Sequence, residues 1–146
     1  MIPPLTEFGV LPVGTCDTTF AEVERRFVVN EYRRLLWTDF QRYLGWIQGL
    51  SFFSTMYMGG SFVTNDATPD DIDVTLAWDA SRKPGAKAQE IAHAMKPDFT
   101  KPEFRVQAWP ERAPFSFVIF TKMTLAEADR RGAPRNTMKG ALRIPL

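Results

Sequence analysis

One cysteine and one histidine are all the thiol and imidazole chemistry this chain holds. A lone Cys16 can close no internal disulfide, which fits a reducing compartment. His93 lies in an Ala-rich segment remote from Cys16, so Cys–His and Ser–His–Asp nucleophile machinery and His/Cys zinc sites are poorly supported. No stretch reaches the roughly 18 apolar residues that cross a bilayer. The start, "MIPPLTEFGV", lacks the basic and then apolar layout of a signal peptide. Charge bias is missing too: 18 Lys and Arg face 17 Asp and Glu, so net charge does not argue for nucleic acid or membrane. A soluble cytoplasmic protein without a membrane partner is expected.

Apolar material is ample. Hydrophobic residues make up 45% of 146, enough for one core, and twelve Phe with four Trp make that core aromatic. No repeat, low-complexity tract or linker divides the chain, so residues 1–146 are expected to form one domain. Residues 1–18, rich in Pro and Gly, read as an extended lead-in. "TFAE" at Thr19–Glu22 has capping-box spacing and predicts a helix to about Val28. Asn30 caps a longer predicted helix ending at Gly49, with Tyr32, Leu35, Leu36, Phe40, Tyr43, Leu44 and Ile47 as its buried face. Arg25, Arg26, Arg33 and Arg34 read as a solvated face, and Trp37, Phe40, Tyr43 and Trp46 as core.

Further along, Phe52–Met58 and the stretch "DIDVTLAW" predict two strands, and Gly85–Met95 a helix that Pro97 stops. Glu103–Trp109 and Phe115–Phe120 predict two more strands. "TLAE" at Thr124–Glu127 repeats the capping-box pattern, and "GALRIPL" predicts an edge strand, where Pro145 is tolerated. This order points to an α/β (α+β) fold, a mixed sheet of about four to five strands flanked by helices.

The chemistry concentrates in "GGSFVTNDATPDDIDVTLAW", Gly59 to Trp78. On a strand, residues two apart share a face, so Asp71 and Asp73 project together while Ile72 and Val74 turn inward. Two adjacent carboxylates repel unless a cation sits between them, and magnesium (or manganese) prefers such hard oxygen ligands, shared with phosphate. Gly59 and Gly60 permit a tight turn with close ligand approach, and Ser61 adds a hydroxyl. The residues after the turn could open a short helix whose free amides receive phosphate. Lys122, Lys139 and Arg143 are candidate counter-charges for a triphosphate. Asn65 and Asp66 read as loop-solvating residues, and Asp70 as a turn or cap.

Gly-Gly-Ser, nine residues and then "DIDV" resemble the signature of the nucleotidyltransferase superfamily, which has the DNA polymerase β-like fold. "LPVGTCDTTFAEVERRFVVNEYRR" and "DRRGAPRNTMKGALRI" are similar to a small bacterial and phage group of that fold. The resemblance implies that Gly59, Gly60 and Ser61 hold an NTP, for which Lys139 is a candidate counter-charge. It implies that Asp71 and Asp73 bind the catalytic metals, as in two-metal transfer chemistry. It also implies a third carboxylate on a later strand, and at the matching position in "FRVQAWP" stands Gln107, a neutral amide that takes no proton. Glu103, four residues earlier on that predicted strand, is the alternative acid. Three outcomes stay open: Glu103 serves, or one well-held metal suffices, or nucleotide binds without turnover.

Two functions follow as expectations. One is a metal-dependent nucleotidyltransferase moving an NMP from an NTP to a hydroxyl of a protein, an RNA end or a small molecule. A toxin–antitoxin or phage-defence setting is suggested by analogy with minimal relatives. The other is a catalytically degenerate nucleotide- or partner-binding protein, such as an antitoxin or antidefence factor, on the same scaffold.

Overall fold

Five strands form one mixed sheet in a computed structural model that describes residues 1–111 and 121–146. The strand expected over Phe115–Phe120 lies outside the described residues. In chain order the strands are β1 (Thr15–Asp17), β2 (Thr55–Gly59), β3 (Ile72–Ala77), β4 (Val106–Pro110) and β5 (Ala141–Pro145). The helices among the described residues are α1 (Phe20–Phe27), α2 (Glu31–Gly49), α3 (Ala88–Ala94), α4 (Pro97–Phe104) and α5 (Leu125–Arg131). Short 3-10 turns occupy Ser61–Val63 and Gly85–Lys87. The fold is α+β. None of the described helices is long and apolar enough to cross a membrane.

Both early helices start where their side chains cap them. Thr19 accepts a hydrogen bond from the Glu22 amide at 3.3 Å, and the Glu22 carboxylate accepts from the Thr19 amide at 3.3 Å. Asn30 accepts from the Arg33 amide at 2.8 Å. The buried stripe of α2 is rotated from the expected one. Leu36, Trp37, Phe40, Tyr43 and Ile47 are buried, whereas Tyr32 and Leu35 are exposed. Trp37 stacks on Phe40 and Phe62, and Tyr43 donates its hydroxyl to the Ala94 carbonyl at 2.7 Å. These rings are core, as expected.

The sheet order is β1-β5-β2-β3-β4. β5 runs parallel to β1 and antiparallel to β2; β3 is antiparallel to β2 and parallel to β4. Two expectations are corrected here. The lead-in supplies an edge strand, and β5 is interior because β1 covers its outer side. Pro145 is still tolerated, because β1 pairs only with Ala141 to Arg143 and leaves the far end of β5 open on that side.

Strand alternation then sorts the side chains. Met56, Met58, Ile72, Val74, Leu76, Val106, Ala108, Leu142 and Ile144 enter one core with residues of α1 to α4. Tyr57, Asp73, Gln107 and Arg143 belong to the opposite face. A small second cluster joins Val10 of the lead-in to Met123 and Ala128 of α5.

A third correction concerns residues 97–104. Pro97 begins a helix, as the first residue of α4, because its missing amide hydrogen costs nothing at that position. Helix α4 ends on Arg105 in the left-handed region at φ 52°, and β4 starts only at Val106. Glu103 is therefore helical.

Candidate functional site

Gly59 and Asp73 are cross-strand partners in the β2–β3 pair, so the turn that leaves β2 starts beside the second aspartate. Gly60 carries the chain away at φ 69° and ψ −160°, a region reserved for glycine. The Asp73 carboxylate packs against it so closely that a Cβ on Gly60 would overlap Asp73 Oδ2. This position needs glycine for its dihedral and for its missing side chain. Gly60→Ala is accordingly expected to cost roughly 1–3 kcal/mol in backbone strain and to displace the carboxylate. Urea denaturation reads the first effect, and loss of ligand binding with the fold intact reads the second.

Ser61 opens a single 3-10 turn, Ser61–Val63. The loop beyond it is held by arginines. Arg33, expected on a solvated face, is only 1% exposed and donates to four carbonyls, those of Phe27, Phe62, Thr64 and Asp66, at 2.7–3.0 Å. Burial pulls its guanidinium below the usual arginine range, and the Asp66 charge works against that. Asp66 also accepts Arg130 at 2.9 Å and forms an ion pair with Arg131 at 3.1 Å, and Asn65 accepts Arg131 at 2.7 Å. Asn65 and Asp66 are therefore clamp residues. Burial raises the Asp66 pKa, but the three arginines outweigh it and hold the carboxyl below its ordinary value. Asp66 thus draws three guanidinium groups onto this loop. A hollow of about 480 Å³ opens there, lined by Ser61, Asp66–Asp70 and Arg130.

Asp71 and Asp73 do lie together near this turn, and they sense each other. Burial, and then the Asp71 charge, push the Asp73 carboxyl up to about 7, while Lys139 and Lys101 oppose the shift. Among the described residues the Asp73 carboxylate has no hydrogen-bond partner; its interactions are with charges. Asp71, 7% exposed, pairs with Lys101 at 2.8 Å. Lys139 is buried near the carboxylates and bonds Glu127 at 2.8 Å. Glu127 also takes Arg131 at 3.2 Å, so only half of the second capping box forms. Thr124 accepts the Glu127 amide, but the Glu127 carboxylate turns to these cations instead of the cap.

The third-acid question has a clear geometry. Gln107 on β4 is the register partner of Asp73 and so shares its face, at the position expected from the sequence. Glu103 does not reach it. Residues two apart on a helix point about 200° apart, so with Lys101 turned to Asp71, Glu103 turns away. It pairs with Arg42 of α2 at 3.3 Å instead. Glu103, expected as the alternative acid, thus lies on a helix and is paired away from Asp73. Among the described residues no three His, Cys, Asp or Glu side chains gather at metal-binding distance.

The other candidate cations lie elsewhere. Arg143 pairs with Asp17 across β5 and β1, and exposed Lys122 sits in a one-residue bridge with Met138. Lys101 escapes any sequence reading that treats Pro97 only as a stop; a proline at the first helical position is the signal that could have revealed it.

These features define a mixed sheet whose interior strands present a glycine turn against paired carboxylates. By sequence, residues 3–144 match the "Family of unknown function (DUF6932)", and the chain belongs to that family. No curated protein and no solved structure matches the chain.

Proposed function

We propose that the protein is a metal-dependent nucleotidyltransferase that transfers an NMP from an NTP to a hydroxyl on a protein, an RNA or a small molecule. The observation that carries this reading is the Asp73 carboxylate lying on Cα of Gly60, with Asp71 two residues away. A half-buried carboxylate without a hydrogen bond, pressed on a glycine that has no room for a Cβ, fits a divalent cation better than a proton-bearing acid. Asp71 and Asp73 would hold magnesium or manganese, which when bound would neutralise phosphate charge and activate the acceptor hydroxyl.

The chain's own residues do the rest. Gly59, Gly60 and Ser61 give the triphosphate close access to the main chain, and the clamp on residues 62–66 keeps that turn in one shape. Arg130, at the neighbouring hollow, is the guanidinium that could meet the phosphate tail. Lys139, bound to Glu127, moderates the charge around Asp73.

A second reading is favoured by one specific observation. Gln107 stands beside Asp73 where a general base is expected, and an amide cannot accept the proton. On that reading the site binds nucleotide, or a partner, without turnover. Calorimetry with ATP, GTP, CTP and UTP, each with and without magnesium, together with a pyrophosphate-release assay, separates the two. Transfer predicts magnesium-enhanced binding of at least one NTP, by about tenfold or more, with pyrophosphate release. Binding without release supports the second reading. Absence of binding by all four would sink the first reading and the nucleotide form of the second.

A further inference from the structure

We propose that the Lys101 ammonium acts as a built-in cation of the centre, standing in for a second divalent ion, so that the site takes one metal with its nucleoside triphosphate. This rests on the nucleotide reading above. Three observations converge on it. Lys101 Nζ lies 2.8 Å from Asp71 Oδ2, delivered by α4 to the aspartate that immediately precedes β3. Gln107, uncharged, holds the register position beside Asp73. Among the described residues no third acid joins the pair.

Paired magnesium ions sit about 4 Å apart and need carboxylate oxygens to share between them. Here one oxygen of Asp71 is already engaged by an ammonium, and the amide of Gln107 brings no charge. The carboxylate oxygens left free by Lys101 are too few for a second divalent ion to share. An ammonium is a compact point charge with three donors. One donor serves Asp71, and the side chain is 52% exposed, so the others can meet a phosphate oxygen. Bridging a carboxylate and a phosphate oxygen is the work a second metal would otherwise do. The neighbouring Asp73, lacking a hydrogen bond, is left for the metal.

The test counts metal directly. Manganese is titrated into the full chain by calorimetry and electron paramagnetic resonance, with each of the four α,β-methylene nucleoside triphosphates. The wild type is expected to take one ion per chain. In Lys101→Ala the triphosphate should bind about tenfold more weakly at low manganese. At high manganese a second ion should enter and recover the affinity. Lys101→Arg, which keeps the charge, should remain at one ion. Circular dichroism checks that each variant is folded, and Ala is a good helix former at this half-exposed position.

Two ions in the wild type overturn the proposal. So does Lys101→Ala binding like wild type, or a loss that high manganese does not recover, since Lys101 would then only position α4. If neither manganese nor any triphosphate binds the folded wild type, the nucleotide reading itself falls, and this inference with it.

Discussion

Asp73→Asn is expected to abolish nucleotidyl transfer, by a factor of about 1,000 or more, and yet to stabilise the metal-free protein at neutral pH. The first effect follows from losing the charge that faces the Gly60 turn. Label transfer from radioactive NTP reads it, and equal transfer by the variant would remove Asp73 from the chemistry. The second effect follows from the direction in which the carboxyl is displaced. Burial and Asp71 raise the folded carboxyl from 3.8 to about 7. Between those values the native state binds more protons than the unfolded state, so stability falls as pH rises. The contribution is fully favourable below about pH 3.8 and is lost as pH climbs through 7. Its ceiling is on the order of 4 kcal/mol, because each tenfold gain in proton affinity is worth about 1.36 kcal/mol. Asn carries no charge and escapes this loss. Urea denaturation without divalent ions should therefore show variant and wild type close near pH 4, with the variant ahead at pH 8. A gap that does not widen with pH would mean that Asp73 is not held charged in a buried setting.

Arg33→Met is expected to cost about 3–5 kcal/mol, the largest loss of stability among these substitutions. Methionine fills much of the volume but donates nothing, so the carbonyls of Phe27, Phe62, Thr64 and Asp66 lose a partner together. Arg33→Lys should recover only part of this. A point charge on a flexible stem cannot reproduce the planar fork that spans four carbonyls. Denaturation midpoints measure both. Because those carbonyls shape the segment after Ser61, the methionine variant should also be cleaved by protease within residues 62–66 well before the rest of the chain. A cost below about 1 kcal/mol would mean that the loop keeps its shape without the guanidinium.

Local signals in the sequence carry much of this structure. The reciprocal Thr19–Glu22 cap places α1, Asn30 places α2, and strand alternation puts Asp71 and Asp73 on one side with Ile72 and Val74 in the core. Even the neutral Gln107 falls beside Asp73 on the motif alone, and the strand register agrees. Non-local facts are harder to read. The buried position of Arg33 depends on carbonyls 29 to 33 residues away, which no helical period encodes. Glu103 resembles a strand residue because a β-rich run follows it. The helix ahead of that run begins with Pro97, and proline punctuates a helix start as well as a stop. The interior place of β5 depends on pairing with β1 from the other end of the sequence. The Asp66 clamp arises only once α5 brings in Arg130 and Arg131.

That last strand arrangement has a consequence for how the protein comes into being. Asp17 and Arg143 meet across 126 residues, and the strand carrying Arg143 is wedged between partners from the early and middle parts of the chain. The β2–β3 hairpin, with its turn and both aspartates, can assemble from neighbours alone. Lys139, which leads into the wedge, takes its seat only when the most distant pairing closes, the slowest kind of contact for a chain to find. A half-folded molecule would thus display the acidic pair with Lys101 but without Lys139, and the full set of charges would assemble only in that late event.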